Sequence, residues 1–191
     1  MRKMGLASTQ PGPNTSKGHP NHKKFPYLLK GLEMMAPLRV WSTDITFIHL
    51  PMGFVYLVAV IDWFSRLVLS YHLSNSLETT FCLEALEEAL MSYGTPEFFN
   101  TDQGVQFTCG GFVEAILTRG IRLSMDGKGK ALDNIFIERL WRSLKYEEVY
   151  LKDYASVGEA RKCIGEYFAF YNTRRPHQSL GYKTPMEVHY T

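Results

Sequence analysis

Residues 40–50 are rich in β-branched and aromatic side chains, residues 54–61 form one uninterrupted apolar run, and residues 67–73 make a third short apolar stretch. Each is bounded by Pro, Gly, Asp or Ser, so the pattern predicts three strands joined by tight turns. The period then changes. Phe81, Leu83, Leu86, Ala89 and Leu90 recur at helical spacing, with Glu84, Glu87 and Glu88 on the other side and Gly94 and Pro96 as stop signals. That predicts an amphipathic helix over 79–93. A short strand at 98–101, a helix at 110–119 and a strand at 121–125 follow. A glycine-containing loop at 126–130, a helix from 133 to about 150 and a last helix at 156–172 complete the pattern.

Three hairpin-linked strands followed by alternating helices and strands imply an α/β fold: a mixed five-stranded sheet with flanking helices. The order matches the ribonuclease H-like fold. Residues 1–36 have linker composition, with Pro11, Pro13 and Pro20, a Ser/Thr/Asn/Gly-rich stretch and few apolar anchors. They read as a basic arm ahead of a domain spanning 37–191. The chain's 191 residues, 45% of them apolar and 21% charged, suit one such domain and exclude wholesale disorder or a collagenous repeat. Its longest apolar run is far short of the ~18 residues that cross a bilayer, and no signal-peptide pattern opens the chain, so a cytoplasmic protein without membrane contact is expected. Cys82, Cys109 and Cys163 are odd in number and widely spaced, which indicates buried thiols and neither a disulfide framework nor a zinc ribbon.

Charge is informative by segment. Six basic residues face one acidic residue in 1–35, three face nine in 36–120, and twelve face nine in 121–191. An acidic middle between basic ends suits a cation held by the centre and a polyanion held by the flanks, although solvated faces produce such blocks too.

Within the acidic middle, Asp44 sits inside a predicted strand, where an acid is a poor β-former. Asp102 follows the strand at 98–101, so its carboxylate emerges at the carboxyl end of a central strand, the edge where open α/β sheets bind ligands. Glu138 lies on the helix after the glycine loop, at the border of the apolar stripe Ile137, Leu140, Trp141 and Leu144, with Asn134, Arg142 and Lys145 at helical spacing from it. Intervals of 57 and 35 residues separate the three acids. Three carboxylates at one sheet edge would repel unless neutralised, and hard divalent cations on oxygen ligands are the usual solution. Two such ions can assist a phosphodiester displacement. Spacing alone does not separate this from a strand-edge acid, a turn former and half of a helix-surface pair. No Walker-type G-x-x-x-x-G-K-[ST] loop is present, so no nucleoside triphosphate is called for.

The flanking sequence is more specific. The stretches VWSTDITFI (40–48), GFVYLVAVIDWFSR (53–66), FFNTDQGVQFT (98–108), RLSMDGKGKALDNIFIERLWRSLKYEEVYL (122–151) and YNTRRPHQSLGYKTP (171–185) resemble, in order, the DDE transposases of the IS-three insertion-element family. Their catalytic core is similar to retroviral integrase. The resemblance runs from about residue 38 to the C-terminus.

It implies Asp44, Asp102 and Glu138 as the catalytic, metal-binding triad, with Mg²⁺ or Mn²⁺, two ions per site, as cofactor. Lys145 matches a basic residue that meets terminal DNA phosphates. Asn134, Gln103 and Gly104 match residues that order the site from behind. Lys128 and Lys130 in the glycine loop, Arg142 on the helix, and Arg174 and Arg175 in the basic tail are candidate contacts to DNA phosphate. The implied function is cleavage and strand transfer of double-stranded DNA by a homo-oligomer. The family's helix-turn-helix segments are not seen ahead of the core, so an upstream product of the same element is a possible partner. A noncatalytic DNA-binding remnant that interferes with intact transposase, and a ribonuclease H-type nuclease, are the alternatives.

Overall fold

Alternate residues of the second strand enter different cores. In β2 (Gly53–Asp62), Val55, Leu57, Ala59 and Ile61 pack on one face of the sheet, and Val58 and Val60 on the other. A strand covered on both faces has no polar side, which is why 54–61 reads as a continuous apolar run. The structure, a computed structural model, describes residues 23–32, 36–51, 53–127 and 134–191. Its five strands, β1 (Val40–Leu50), β2, β3 (Val68–Ser74), β4 (Phe98–Thr101) and β5 (Arg122–Met125), lie in the order β3-β2-β1-β4-β5. The first three form an antiparallel meander, and β4 and β5 run parallel to β1. The mixed five-stranded sheet expected from the pattern is therefore present.

Two helical layers enclose the sheet. On one face lie α1 (Thr80–Tyr93), α2 (Val105–Thr108) and α3 (Gly110–Leu117), whose Phe81, Leu86, Phe107, Phe112 and Ile116 join a core with Trp41 and Phe99. On the other lie α4 (Ile135–Glu147) and α5 (Val157–Thr173), contributing Ile137, Leu140, Trp141, Leu144, Ile164 and Phe168. The four buried side chains of α4 supply roughly 6–10 kcal/mol of transfer free energy before ordering entropy is subtracted. That burial fixes which way the polar residues of α4 point.

Three departures from the sequence pattern have local causes. The turn after Asp102 winds into α2, a single helical turn whose Phe107 is buried. The α4 helix ends at Glu147 and gives way to a 3₁₀ turn at Val149–Leu151 instead of continuing to 150. Beyond α5 the tail is folded: a 3₁₀ turn at Gln178–Leu180 precedes α6 (Pro185–His189). Thr184 and Glu187 form a reciprocal capping box at its start, with Pro185 in the first turn. The last residues of the basic arm also contact the core, since Leu29 is buried, Leu28 N–H donates to Ser124 Oγ (3.0 Å) and Met125 N–H donates to Pro26 C=O (3.4 Å). Among the described residues no helix is long and apolar enough to cross a membrane. All three cysteines are free.

Candidate active site

Asp44 is carried on β1, paired across to Ala59 of β2, where the Thr43 hydroxyl donates to the Ala59 carbonyl (2.8 Å). Asp102 follows β4, the strand parallel to β1 on its other side. Neighbouring parallel strands bring their ends to one sheet edge, and there the two aspartates line a cleft of about 230 Å³ with Phe47, Tyr56, Leu77 and Gln106. Glu138 stands exposed on the first turn of α4. It does not line that cleft, yet its negative field reaches Asp44.

The electrostatics of Asp44 report the company it keeps. Its carboxyl is pushed up from 3.8 to about 6, chiefly by burial, with further upward pressure from Asp102 and Glu138. Two hydrogen bonds resist that rise: one from the Ile45 backbone, and one from the Trp141 indole, whose Nε1–H donates to Asp44 Oδ2 at 3.0 Å. Asp102 is raised too, by burial of its inner side, while Gly104 N–H donates to its Oδ1 at 2.8 Å and favours the charged form.

The residues behind the carboxylates set their positions. A Cβ on Gly104 would fall 2.9 Å from Asp102 Oδ1, so the absence of a side chain lets the backbone close on the carboxylate. Gln103 Nε2 donates to the Asp126 carbonyl (2.8 Å), tying the turn to the chain leaving β5, and Gln106 Nε2 donates to the Leu77 carbonyl (3.1 Å). Asn134, buried at the cap of α4, donates from Nδ2 to the Thr43 carbonyl at 3.4 Å and so links the helix to the residue beside Asp44. Asn134, Gln103 and Gly104 thus all bear on the aspartates or their strands.

The predicted basic residues divide. Lys145 holds its ammonium 5.3 Å from the ring centre of Phe47, which is 52% exposed, and Phe47 belongs to the aspartate cleft. Arg142 lies exposed on α4, 5.9 Å from the Tyr146 ring, and Arg174 is exposed at the end of α5. Arg175 is differently employed. It makes a bidentate pair with Glu147 (Nε–Oε2 2.7 Å, Nη2–Oε1 2.6 Å), which fastens the tail to the end of α4. Its charge is already matched, so it is a poor candidate for a free phosphate contact. Lys128 and Lys130 lie outside the described residues.

Trp141 and Phe47 were not legible as site residues. Trp141 falls in the apolar stripe of α4, and only the need of a buried indole N–H for an acceptor marked it. Phe47 reads as one more strand aromatic until its exposure is seen.

Among the described residues no three His, Cys, Asp or Glu side chains close round a single point as an ion's ligands. The donor set nevertheless suits a hard cation, since it is all carboxylate oxygen and Asp102 and Glu138 both raise the proton affinity of Asp44.

Comparison with known proteins bears on the fold and the family. A family model described as "Integrase core domain" matches residues 35–131, and a second of the same description matches residues 119–185. The putative transposase InsK for insertion sequence element IS150 of Escherichia coli (strain K12) is 31% identical over 84% of this chain and 57% of its own length. Transposase InsF for insertion sequence IS3A of the same organism is 28% identical over 97% of this chain and 66% of its own. The chain spans about three fifths of the length of these curated relatives. Among solved structures, the dimeric form of the HTLV-2 integrase catalytic core domain in complex with magnesium superposes with a TM-score of 0.65 at 21% identity, over 82% of this chain and 99% of that one. With one model covering half of its length and insertion-element transposases as relatives, the chain belongs to the integrase core domain family.

Proposed function

We propose that this chain is the catalytic core of an insertion-element transposase, cutting a DNA strand and joining the freed end to another phosphodiester. The observation that carries the reading is the Asp44–Asp102 cleft, with Glu138 acting on Asp44 from α4 and the integrase core match laid over all three. Retention of all three carboxylates supports the catalytic reading over a noncatalytic DNA-binding remnant.

Asp44, Asp102 and Glu138 would hold Mg²⁺ or Mn²⁺, two ions by the family's pattern. Bound there, the metal supplies the positive charge that offsets the carboxylates and stabilises charge on a transferring phosphate. The protein's own residues do the positioning. Trp141 keeps Asp44 Oδ2 directed, Gly104 N–H fixes Asp102 Oδ1 and favours its charged form against the effect of burial, and Asn134 holds the start of α4 against β1. Lys145 puts a cation beside Phe47, a residue of the cleft wall, where a DNA phosphate would meet it. Double-stranded DNA is the substrate of this reading and a homo-oligomer its working form, as two element ends need two sites.

The test is strand cleavage and rejoining of a branched DNA that mimics a strand-transfer product, in Mg²⁺ or Mn²⁺, by the wild type and Glu138→Gln. Activity in the wild type, lost by at least about a hundredfold in a folded Glu138→Gln protein, is the expected result. Equal activity in both would reject the carboxylate assignment.

A further inference from the structure

The face of α4 turned away from the aspartate cleft borders a second hollow, about 600 Å³, between α4 and the folded tail. Four arginines line it: Arg66 from the β2–β3 turn, Arg139 and Arg142 from α4, and Arg175 from the tail. Among the described residues that line it there is no carboxylate; Glu147 meets Arg175 from the side and neutralises that one charge.

Of the four, Arg66 is the one with a buried, unpartnered nitrogen among the described residues. Its guanidinium is stacked 3.4 Å from the centre of the Phe136 ring, and its buried Nη1 has no hydrogen-bond acceptor among the described residues. Asp62, the carboxylate behind it, is occupied by Leu38 N–H, Ser65 N–H and the Ser65 hydroxyl. Arg66 and Arg139 repel each other, although Asp62 behind Arg66 offsets more of its charge than Arg139 adds, and both Arg175 and Arg66 press on buried His177 while Glu147 opposes them, so cationic side chains predominate on the lining of the hollow. Arg66 (φ 65°) and Tyr182 (φ 63°) are two of the three non-glycine residues with left-handed backbone among those described, and both line this hollow. Backbone strain of this kind concentrates at ligand clamps.

We infer that this arginine-lined groove is a second anchor for the nucleic-acid backbone, taking a phosphodiester group on the side of α4 opposite the carboxylates. The assignment rests on the reading of the chain as one that acts on DNA, and it adds Arg66 and Arg139 to the residues that hold it. Arg139 follows Glu138 and projects about 100° round the helix from it. A duplex served by Glu138 and Lys145 on one side of α4 therefore finds the next guanidinia by crossing the exposed face at Arg142. Arginine's planar fork suits phosphate oxygens, and the stacked Arg66 holds one fork preoriented.

The test is DNA binding in EDTA, where strand cleavage plays no part, measured against salt concentration for the wild type, Arg139→Ala and a charge control, Arg161→Ala on α5. Arg139→Ala is expected to bind several-fold more weakly, with the slope of log K against log salt reduced by about one phosphate contact, near 0.9, and Arg161→Ala to match the wild type. Arg66→Lys, which keeps charge and loses the fork, should weaken binding less than Arg139→Ala; if Arg66→Lys fails to fold, the Arg139 and Arg161 pair still decides. An unchanged slope in Arg139→Ala, or an equal change in both alanine variants, would overturn the groove, whether or not the protein cleaves DNA in magnesium. Thermal stabilisation by inorganic phosphate at matched ionic strength separates the two sources of this chemistry. Phosphate stabilisation lost in Arg139→Ala with the DNA slope intact would make the groove a free-phosphate site and the backbone assignment wrong.

Discussion

On either side of α4 the molecule gathers like charge, and the two gatherings are built in opposite ways. Toward β1 and β4 it collects carboxylates, with Asp44 raised to about 6 by burial and by its acidic neighbours. Toward the tail it collects arginines round His177, whose imidazole is pushed down to about 4 by burial first and by Arg175 next. Each side is costly alone, and on the reading proposed above each would be relieved by a ligand of the other sign, a divalent cation in one case and a phosphate in the other. The supports differ as well. The aspartates are set by strand pairing, an indole and a backbone N–H, whereas the arginine groove depends on a tail held by side-chain contacts, the bidentate Arg175–Glu147 pair and the Ser65–His189 hydrogen bond among them.

The contrast can be broken first at the cleft. Gly104→Ala places a methyl 2.9 Å from Asp102 Oδ1 and displaces a carboxylate whose position the chemistry needs. We expect DNA cleavage to fall about ten- to a hundredfold while unfolding in urea changes little.

Next in size are stability changes that separate the two sides by pH. Between 3.8 and about 6 the folded, metal-free protein keeps a proton on Asp44 that the unfolded chain has released, so stability falls as pH rises through that window. Asp44→Asn removes this penalty and should stabilise the protein at pH 7.5 by on the order of 1–3 kcal/mol, a gain that vanishes below about pH 4. His177 has the reverse sign. Its stability contribution is present above 6.5 and is lost as pH falls toward about 4, so His177→Phe should flatten the acid limb of the curve. Denaturant melts of both variants across pH 4–8 check the two signs together.

The smallest effect is expected where the tail is fastened. Arg175→Ala breaks the pair with Glu147 and should cost about 1 kcal/mol, above an ordinary exposed pair because the contact is bidentate. Urea unfolding would read that loss, and Arg175→Lys should recover part of it.

The α/β order was legible because burial on two faces leaves its mark in period. Residues 54–61 read as an apolar strand and 79–93 as an amphipathic helix, and each matches the structure within a residue or two. Glu138 could be placed at the edge of the α4 stripe because the apolar positions Ile137, Leu140, Trp141 and Leu144 are buried as the period requires. The tail was less legible. Its Thr184-x-x-Glu187 capping signal was present but attached to a helix too short to show a period. Arg175 read as a candidate contact to DNA phosphate because its partner, Glu147, lies 28 residues away and the pairing leaves no local signal. The arginine groove joins residues from three distant segments, Arg66, Arg139 and Arg175, and no local pattern announces such a meeting.

The central claim is that the carboxylates beside α4 form one cation site, and its most direct test is thermal unfolding under Mg²⁺ titration at pH 5, 6, 7 and 8. Wild type, Asp44→Asn and Glu138→Gln would be compared. The account predicts a magnesium-induced rise in Tm for the wild type that strengthens as pH passes about 6, where metal-free Asp44 gives up its proton, with little or no rise in either variant. An equal rise in all three proteins, independent of pH, would contradict it.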